Sequence, residues 1–290
     1  MSPRARVVAI VAAAAVVVVG ATVGGTILQT RGESTGTTVR KGFPPLELPA
    51  STAVSLYKAG KHAQAGALFA RTGTLAGEIG AAFSAWPHGT LDTMKKLVAS
   101  HPGSALAELH LGLAYFWSGR DSDAAASWQR AAKAGPDTPY AVVALDFLHP
   151  GVAPNLPPIV VDATAVPKAA RAQLLAGAAF WNDERPVSAK RALDAAVKLA
   201  PHDPAVLSAA AVARFSPAHP LAPFPHLGPL TAAYPKAAVV RLHLGVLLLW
   251  TRQVKKGSAQ LRLAISDEPK SVYAKTAEQI LQALSANGTK

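Results

Sequence analysis

The side chains that could carry covalent or acid–base chemistry are few, and none stands in a common catalytic motif with the context that the motif requires. The 290-residue sequence has no cysteine, which excludes thiolate nucleophiles, thiolate-bound zinc and iron–sulfur clusters. It also contains no HExxH pair, no GxxxxGK[ST] loop and no GxGxxG turn. Its one GxSxG match, Gly32 to Gly36, lies in a segment rich in glycine, proline, serine and threonine and not between a strand and a helix, where a nucleophile elbow would require it. We therefore predict that the protein is not an enzyme and uses neither a metal nor a cofactor.

The histidines are the remaining candidates for ligands or proton carriers. His110 and His243 occupy the same place in two similar words, Leu-His-Leu-Gly followed by a tryptophan. A histidine repeated in one structural context favours a framework role over a ligand role. His219 and His226 share a proline-rich loop, but no third ligand stands near them in the sequence. No metal site is predicted there.

Positive charge dominates the chain, which has 29 Lys and Arg against 17 Asp and Glu. Residues 236–262 contain basic side chains and no acidic one, and four of them form a candidate basic patch: Arg252, Lys255, Lys256 and Arg262. Such a patch would suit an anionic surface, either lipid headgroups or a cell-wall polymer. Nucleic acid is not an expected partner, because no aromatic side chains interleave with these charges.

The amino-terminal segment predicts a membrane anchor. Residues 7–28 carry no charge and follow Arg4 and Arg6, and a helix of this length rises about 33 Å, enough to cross a hydrocarbon core. The positive charges place residues 1–6 in the cytoplasm and the rest of the chain outside it. The alternative is a cleaved signal peptide with a small-residue site at Val19-Gly20-Ala21. Both interpretations put the bulk of the chain outside the cytoplasm.

Glycine and proline interrupt the next segment, residues 29–50, which we predict to be a flexible linker. Residues 286–290 are predicted to be a short tail. The same residue types crowd residues 150–167, which we predict to be an irregular insertion between helices.

A period of 34 residues organises the chain between linker and tail. It separates Pro102 from Pro136, and it also separates Pro201, Pro235 and Pro269. Small and apolar residues recur in the same frame around the second of these prolines: Leu111, Gly112, Tyr115, Gly119, Ala124, Trp128, Ala131 and Pro136. This pattern resembles the tetratricopeptide (TPR) repeat.

The resemblance implies an all-α fold, an α-α superhelix of antiparallel helix pairs over residues 51–285. The frame is strongest near residues 105–138, 170–203 and 238–271. Gly112, Gly177 and Gly245 occupy equivalent places in these three repeats, where we expect two helices to touch.

In TPR proteins the first helix of each pair lines a concave groove that binds protein segments. Transferred to this chain, the groove residues are Leu106, Leu109, Leu113, Phe116, Trp117, Arg171, Leu174, Trp181, Asn182, Val239, Leu242, Val246, Leu249 and Trp250. The lining is mostly apolar and predicts an apolar or amphipathic peptide partner. Alternatively, these side chains pack on neighbouring repeats, or the proline-rich loops fold back over them.

These features together predict a membrane-anchored, extracytoplasmic scaffold for protein–protein interaction. The resemblance extends to membrane-anchored repeat proteins that assist the assembly of cell-envelope complexes. The basic patch is the alternative binding site, and the amino-terminal helix is the predicted contact with the membrane.

Overall fold

The structure, a computed structural model, describes residues 40–288, and within this range every regular element is a helix. The all-α prediction is confirmed for these residues. The helices are α1 Thr52–Lys58, α2 His62–Phe69, α3 Leu75–Ser84, α4 Thr90–Ser100, α5 Ala105–Trp117, α6 Asp121–Ala134, α7 Pro139–Leu148, α8 Lys168–Asn182, α9 Pro186–Leu199, α10 Pro204–Val212, α11 Phe224–Leu227, α12 Leu230–Ala233, α13 Ala238–Trp250, α14 Val254–Asp267 and α15 Val272–Gly288.

The described chain divides into two compact units, an N-terminal unit of residues 40–148 and a C-terminal unit of residues 149–288. The N-terminal unit contains the pairs α1/α2, α3/α4 and α5/α6, followed by α7. The C-terminal unit contains the pairs α8/α9 and α13/α14, with α10 to α12 between them and α15 after them. Each unit is thus built from pairs of neighbouring helices.

A tight turn of one kind joins the helices of four pairs. Gly60, Gly119, Glu184 and Arg252 stand two residues after the first helix with a positive φ. In each turn the next backbone N–H bonds back to a carbonyl in the last turn of the first helix, as Arg120 N does to Tyr115 O at 2.9 Å. This geometry satisfies the helix end and reverses the chain.

Glycine allows the two helices of a pair to approach closely. A Cβ atom at Gly112 would lie 2.3 Å from Nε1 of Trp128, and one at Gly177 would lie 2.5 Å from Cγ of Leu193. At Gly245 the equivalent distance, to Cδ2 of Leu261, is 2.9 Å. The expectation that these glycines lie where two helices touch is confirmed, because any larger residue would overlap the partner helix.

Proline shapes the irregular regions. Residues 149–167 contain no helix, as their prolines and glycines indicate. In residues 216–234 the helical structure is limited to α11 and α12, each four residues long. α15, which closes the C-terminal unit, buries Tyr273, Ala274, Ala277 and Ile280.

Residues 40–50 depart from the flexible linker predicted for 29–50. Pro44 is buried and Leu46 is only 3% exposed, because the segment lies extended against the N-terminal unit and bonds to it. Sequence reasoning took its prolines as linker residues and missed their packing. The remaining part of that linker, residues 29–39, lies outside the described residues.

The predicted anchor at residues 7–28 and the cytoplasmic segment 1–6 also lie outside the described residues. Within residues 40–288, no helix combines the length and the apolar character needed to span a membrane.

Candidate functional site

Two extended segments share a sequence pattern, and each lies across the helices of its own unit. We name residues 40–50 the first strap and residues 153–163 the second strap. The first contains the run Phe43-Pro44-Pro45-Leu46, and the second contains Leu156-Pro157-Pro158-Ile159. Both runs place two prolines between large apolar residues.

The start of the second strap is held by the end of α13. The backbone N–H of Ala153 donates to the carbonyl of Trp250 at 2.9 Å. In return, Nε1 of Trp250 donates to the carbonyl of Asn155 at 3.0 Å. This pair of bonds fixes both the position and the direction of the strap.

The centre of the second strap is held by the end of α8. Nε1 of Trp181 donates to the carbonyl of Pro157 at 2.7 Å. The Asn182 side chain accepts from the N–H of Ile159 at 3.2 Å and donates to its carbonyl at 3.1 Å. An amide that brackets one residue in this way satisfies both polar groups of a buried backbone unit.

A buried histidine holds the next residue of the second strap. Nε2 of His243 accepts from the N–H of Val160 at 3.1 Å, and Nδ1 of the same ring lies 2.9 Å from the carbonyl of Val239, one turn earlier in α13. A carbonyl needs a donor, so Nδ1 carries the proton and Nε2 is the acceptor. The imidazole is therefore neutral in this arrangement.

The first strap repeats these bonds on α5 and α1. The N–H of Arg40 donates to the carbonyl of Trp117 at 2.9 Å. The Tyr57 hydroxyl donates to the carbonyl of Pro44 at 2.7 Å, as Trp181 does to Pro157. The N–H of Glu47 donates to Nε2 of His110 at 3.2 Å. The two units therefore hold their straps in one common frame.

Backbone conformation agrees with this equivalence. Gly42 has a φ of 89° and Asn155 a φ of 63°, and each stands two residues before the Pro-Pro run of its strap. Glycine and asparagine are the residues that adopt this left-handed conformation most readily. The residue before each pair of prolines thus follows a turn that aims the strap along the helices.

The prolines suit an extended backbone that is bound at the carbonyl of the first proline of each Pro-Pro run. Proline has no N–H, so only its carbonyl requires a partner, and its fixed φ favours an extended chain before binding. The flanking apolar residues add buried surface, since Leu46 and Ile159 are 3% and 1% exposed. Each strap is thus bound like an extended ligand, with hydrogen bonds to its carbonyl and N–H groups and buried apolar side chains at its centre.

Burial controls the charge of the two histidines. Burial lowers the pKa of His110 and of His243 to about 4, against the opposing effect of the hydrogen bond from Nδ1 to the preceding turn. Near neutral pH both rings are uncharged and keep Nε2 as an acceptor. The straps depend on this protonation state, because a second ring proton would face the strap N–H.

The first strap fits its unit less completely than the second. Nε1 of Trp117 is buried, and no residue of the described chain accepts its hydrogen bond, whereas Nε1 of Trp250 has the Asn155 carbonyl. Lys58 stands where α8 has Asn182, and within residues 40–288 it forms no hydrogen bond with the strap. A pocket opens beside the strap at this point, bordered by Glu47, Lys58 and Tyr57, among other residues.

Glu47 adds a second weakness to the first strap. Burial raises the pKa of its carboxyl above the ordinary value, while the charge of Lys58 acts in the opposite direction. The second strap has Val160 at the equivalent place, only 3% exposed. A carboxylate that loses water here costs free energy that a valine does not.

Most of the predicted groove residues are buried rather than exposed: Leu109, Leu113, Phe116, Leu174, Trp181, Val239, Leu242, Val246, Leu249 and Trp250. Leu106, Trp117, Arg171 and Asn182 are partly exposed. Phe116, Trp117, Trp181, Asn182 and Trp250 contact the straps directly. The structure thus brings part of the predicted set together around two extended segments of the same chain.

The candidate basic patch is divided between structural and exposed groups. Arg252 donates to the carbonyls of Pro150 and Gly151, at 3.2 and 3.1 Å. Lys255, Lys256 and Arg262 are exposed on α14. Binding of an anionic surface through these residues stays a prediction.

Sequence reasoning missed the functional pairing of His110 and His243 with the straps. It identified the repeated Leu-His-Leu-Gly words but did not compare the two Pro-Pro runs. The combination of a Pro-Pro run with a later Leu-His-Leu-Gly word occurs in both halves of the sequence. This paired recurrence was the available signal.

Metal chemistry has no assembled site in the described part of the chain. Among residues 40–288, no three His, Asp or Glu side chains converge in a way that would hold a metal ion. What the sites offer instead is directional hydrogen bonding to an extended backbone.

The fold and the two straps define an all-α protein built from helix pairs, with extended chain bound on each unit. No protein-family model matches the sequence, and no curated protein matches it either. Among solved structures, the chain is similar to the TPR2AB-domain:pHSP90 complex of yeast Sti1, at 14% sequence identity and a TM-score of 0.34, over 81% of this chain and 95% of that one. The helix pairs are defined by the contacts within each unit.

Proposed function

We propose that this protein is a scaffold that binds extended protein segments on the helical surfaces that carry its straps. The observation that carries the proposal is the common frame of the two straps. The same four kinds of contact recur on both units. The strap donates to a carbonyl at a helix end, accepts from an aromatic N–H or O–H, donates to a buried histidine, and packs its apolar side chains against the helices. A surface that holds extended backbone twice is suited to holding extended backbone from a partner.

The composition of the site supports binding rather than catalysis. Its polar groups are aimed at backbone carbonyls and N–H groups, and its histidines are fully buried beneath the straps. Burial of apolar side chains stabilises the bound segment, and the directional hydrogen bonds fix its register on the helices.

We further propose that residues 7–28 anchor the scaffold in a membrane, with the helical units outside the cytoplasm, and that it serves assembly of a cell-envelope complex. The uncharged run after Arg4 and Arg6 supports the anchor and its direction. A scaffold at that place would meet partner segments close to the membrane surface.

Selection from a random peptide library displayed on phage tests the scaffold function on the full-length chain in detergent. We expect enriched peptides whose binding weakens severalfold in His110→Phe, which removes the acceptor for strap backbone. Tyr115→Phe is the matched control, because Tyr115 lies on the same helix but stacks on Arg120 instead of the strap.

Selection that enriches no peptide, or only peptides that bind His110→Phe and wild type equally, would refute binding at the N-terminal surface. The same selection against His243→Phe tests the C-terminal surface independently. Circular dichroism of each variant confirms that the helical fold is intact before binding is compared.

A further inference from the structure

The two straps differ in how firmly their own unit holds them, and the difference points to a ligand. The second strap has every contact of the common frame and, in addition, a bond from the N–H of Asp162 to the Tyr273 hydroxyl at 3.0 Å. The first strap leaves Nε1 of Trp117 without an acceptor in the described chain and places Glu47 where the second has a valine. The first strap is thus the poorer ligand for the common frame.

Connectivity favours exchange of the first strap alone. The second strap lies between α7 and α8 and is joined to a helix at both ends. Among the described residues, the first strap is joined to a helix only through Ala50 and Ser51, both exposed, ahead of α1. It can leave its surface by rotation at this junction without unwinding any helix.

One side chain outside the common frame also holds the first strap on its unit. The Arg40 guanidinium lies 3.4 Å from the centroid of the Phe116 ring, forms an ion pair with Asp121 at 2.9 Å and donates to the Phe116 carbonyl. Ala153 stands at the equivalent place in the second strap. The first strap is therefore held at its start by a clamp that the second strap lacks.

We propose that the surface of α1 and α5 is a binding site for a partner protein's apolar-Pro-Pro-apolar segment, which binds in the place of the first strap. The inference rests on the proposed scaffold function and adds the class of partner. A suitable segment resembles the second strap: Asn ahead of an apolar-Pro-Pro-apolar run, as Asn155 is, followed by an apolar residue where the first strap has Glu47. It should bind this surface more tightly than the first strap does, because its carbonyl accepts from Nε1 of Trp117 and because it buries no carboxylate.

The same comparison argues against a second copy of the chain as the occupant. Another copy would insert an identical first strap, with the same carboxylate at Glu47 and the same unbonded Trp117. Exchange between copies therefore gains no contact, and the partner segment is favoured because it differs at these two places.

A labelled peptide with the sequence of residues 153–163 provides the probe, titrated by fluorescence anisotropy into the full-length chain in detergent. Arg40→Ala removes the clamp from the strap but leaves α1 and α5 unchanged. We expect roughly fivefold tighter binding of the peptide to Arg40→Ala than to wild type, because the site is freed more often. The control peptide carries Pro157→Ala and Pro158→Ala and should bind several times more weakly.

Locking the strap gives the opposite change. The chain has no cysteine, so Phe43→Cys with His62→Cys, whose native rings stack with centroids 3.5 Å apart, can be bridged selectively with a short bis-maleimide. We expect the bridged protein to lose peptide binding and the same variant without the bridge to keep it.

Equal peptide binding to the bridged and unbridged proteins would place the site elsewhere and overturn the proposal. No binding to Arg40→Ala would also overturn it. Concentration-dependent dimerisation of Arg40→Ala by light scattering, with no peptide binding, would assign the surface to a second copy. If library peptides without a Pro-Pro run bind through His110 while this probe does not, the scaffold function stands and the partner class is wrong.

Discussion

The Nε2 atom of His243 accepts a hydrogen bond from the backbone N–H of Val160 at 3.1 Å, across 83 positions of sequence. His110 and Glu47 form the same bond in the N-terminal unit at 3.2 Å. In each case an uncharged, fully buried imidazole connects an extended segment to the middle of a helix. The recurrence of this bond makes the straps part of the folded units and gives their stability a defined dependence on pH.

Acidification below neutral pH should destabilise the protein. Each buried histidine has a pKa of about 4 in the folded state against an ordinary value of 6.5, so between these values only the unfolded chain takes up the proton. Each neutral histidine therefore makes its full contribution to the free energy of unfolding above about pH 6.5. That contribution decreases by roughly 3 kcal/mol for each histidine as the pH falls to 4. Urea unfolding at several pH values measures this slope.

The matched variant for this experiment is His243→Gln, whose amide oxygen can accept from Val160 but does not titrate. We expect the decrease in stability over the same pH range to be about half that of wild type. An unchanged slope would show that His243 is not buried and neutral in the folded protein.

Adding a methyl group at Gly112 should destabilise the α5/α6 pair. The new Cβ would lie within 2.4 Å of two atoms of the Trp128 ring, and a rigid indole cannot yield without displacing a helix. We expect Gly112→Ala to lower the free energy of unfolding by about 1 to 3 kcal/mol, despite the better helix propensity of alanine. Gly151→Ala is the control, since no atom lies within 4 Å of its new Cβ.

Removal of one indole N–H should distinguish the two strap tryptophans. Trp250→Phe leaves the Asn155 carbonyl without the donor that now lies 3.0 Å away. Trp117→Phe removes an N–H that has no acceptor in the described chain. We expect Trp250→Phe to cost at least about 1 kcal/mol more in thermal unfolding than Trp117→Phe. Equal costs would contradict the difference in fit between the two straps.

Charge reversal at the start of α14 should stabilise the protein slightly. Lys255 and Lys256 are exposed in its first turn, where the helix dipole disfavours positive charge. Lys255→Glu with Lys256→Glu should raise the free energy of unfolding by roughly 0.5 to 1 kcal/mol at low salt. Lys198→Glu, in the last turn of α9, should have the opposite sign.

The Lys255→Glu and Lys256→Glu double variant also tests the basic patch, because loss of binding to anionic vesicles would support that alternative.

Full-length protein should remain in the membrane fraction after washing with carbonate or high salt. Salt screens surface charge but does not weaken burial of an apolar helix, and residues 7–28 are uncharged. Fractionation and immunoblotting measure the distribution. Recovery of a soluble form that begins near Thr22 would instead identify residues 1–21 as a cleaved signal peptide.

The sequence by itself determined the helix pairs and their internal contacts. A period of 34 residues, small residues at Gly112 and Gly177, and prolines after α4, α6, α9 and α14 are local signals, because the contacts they specify join neighbouring helices. The turn at Gly119 follows from the same frame. Each of these features depends on residues close together in the chain, so their types and spacing were enough to predict them.

The tertiary structure alone decided that the Pro-Pro segments are straps. Proline and glycine in residues 40–50 and 150–167 exclude a helix, but they do not distinguish a solvated linker from an extended chain bound to a surface. That distinction depends on partners far away in sequence, such as Tyr273 bonded to Asp162 across 111 positions. Local periodicity carries no information about such pairs, because the energy that orders the strap comes from helices that must already be assembled.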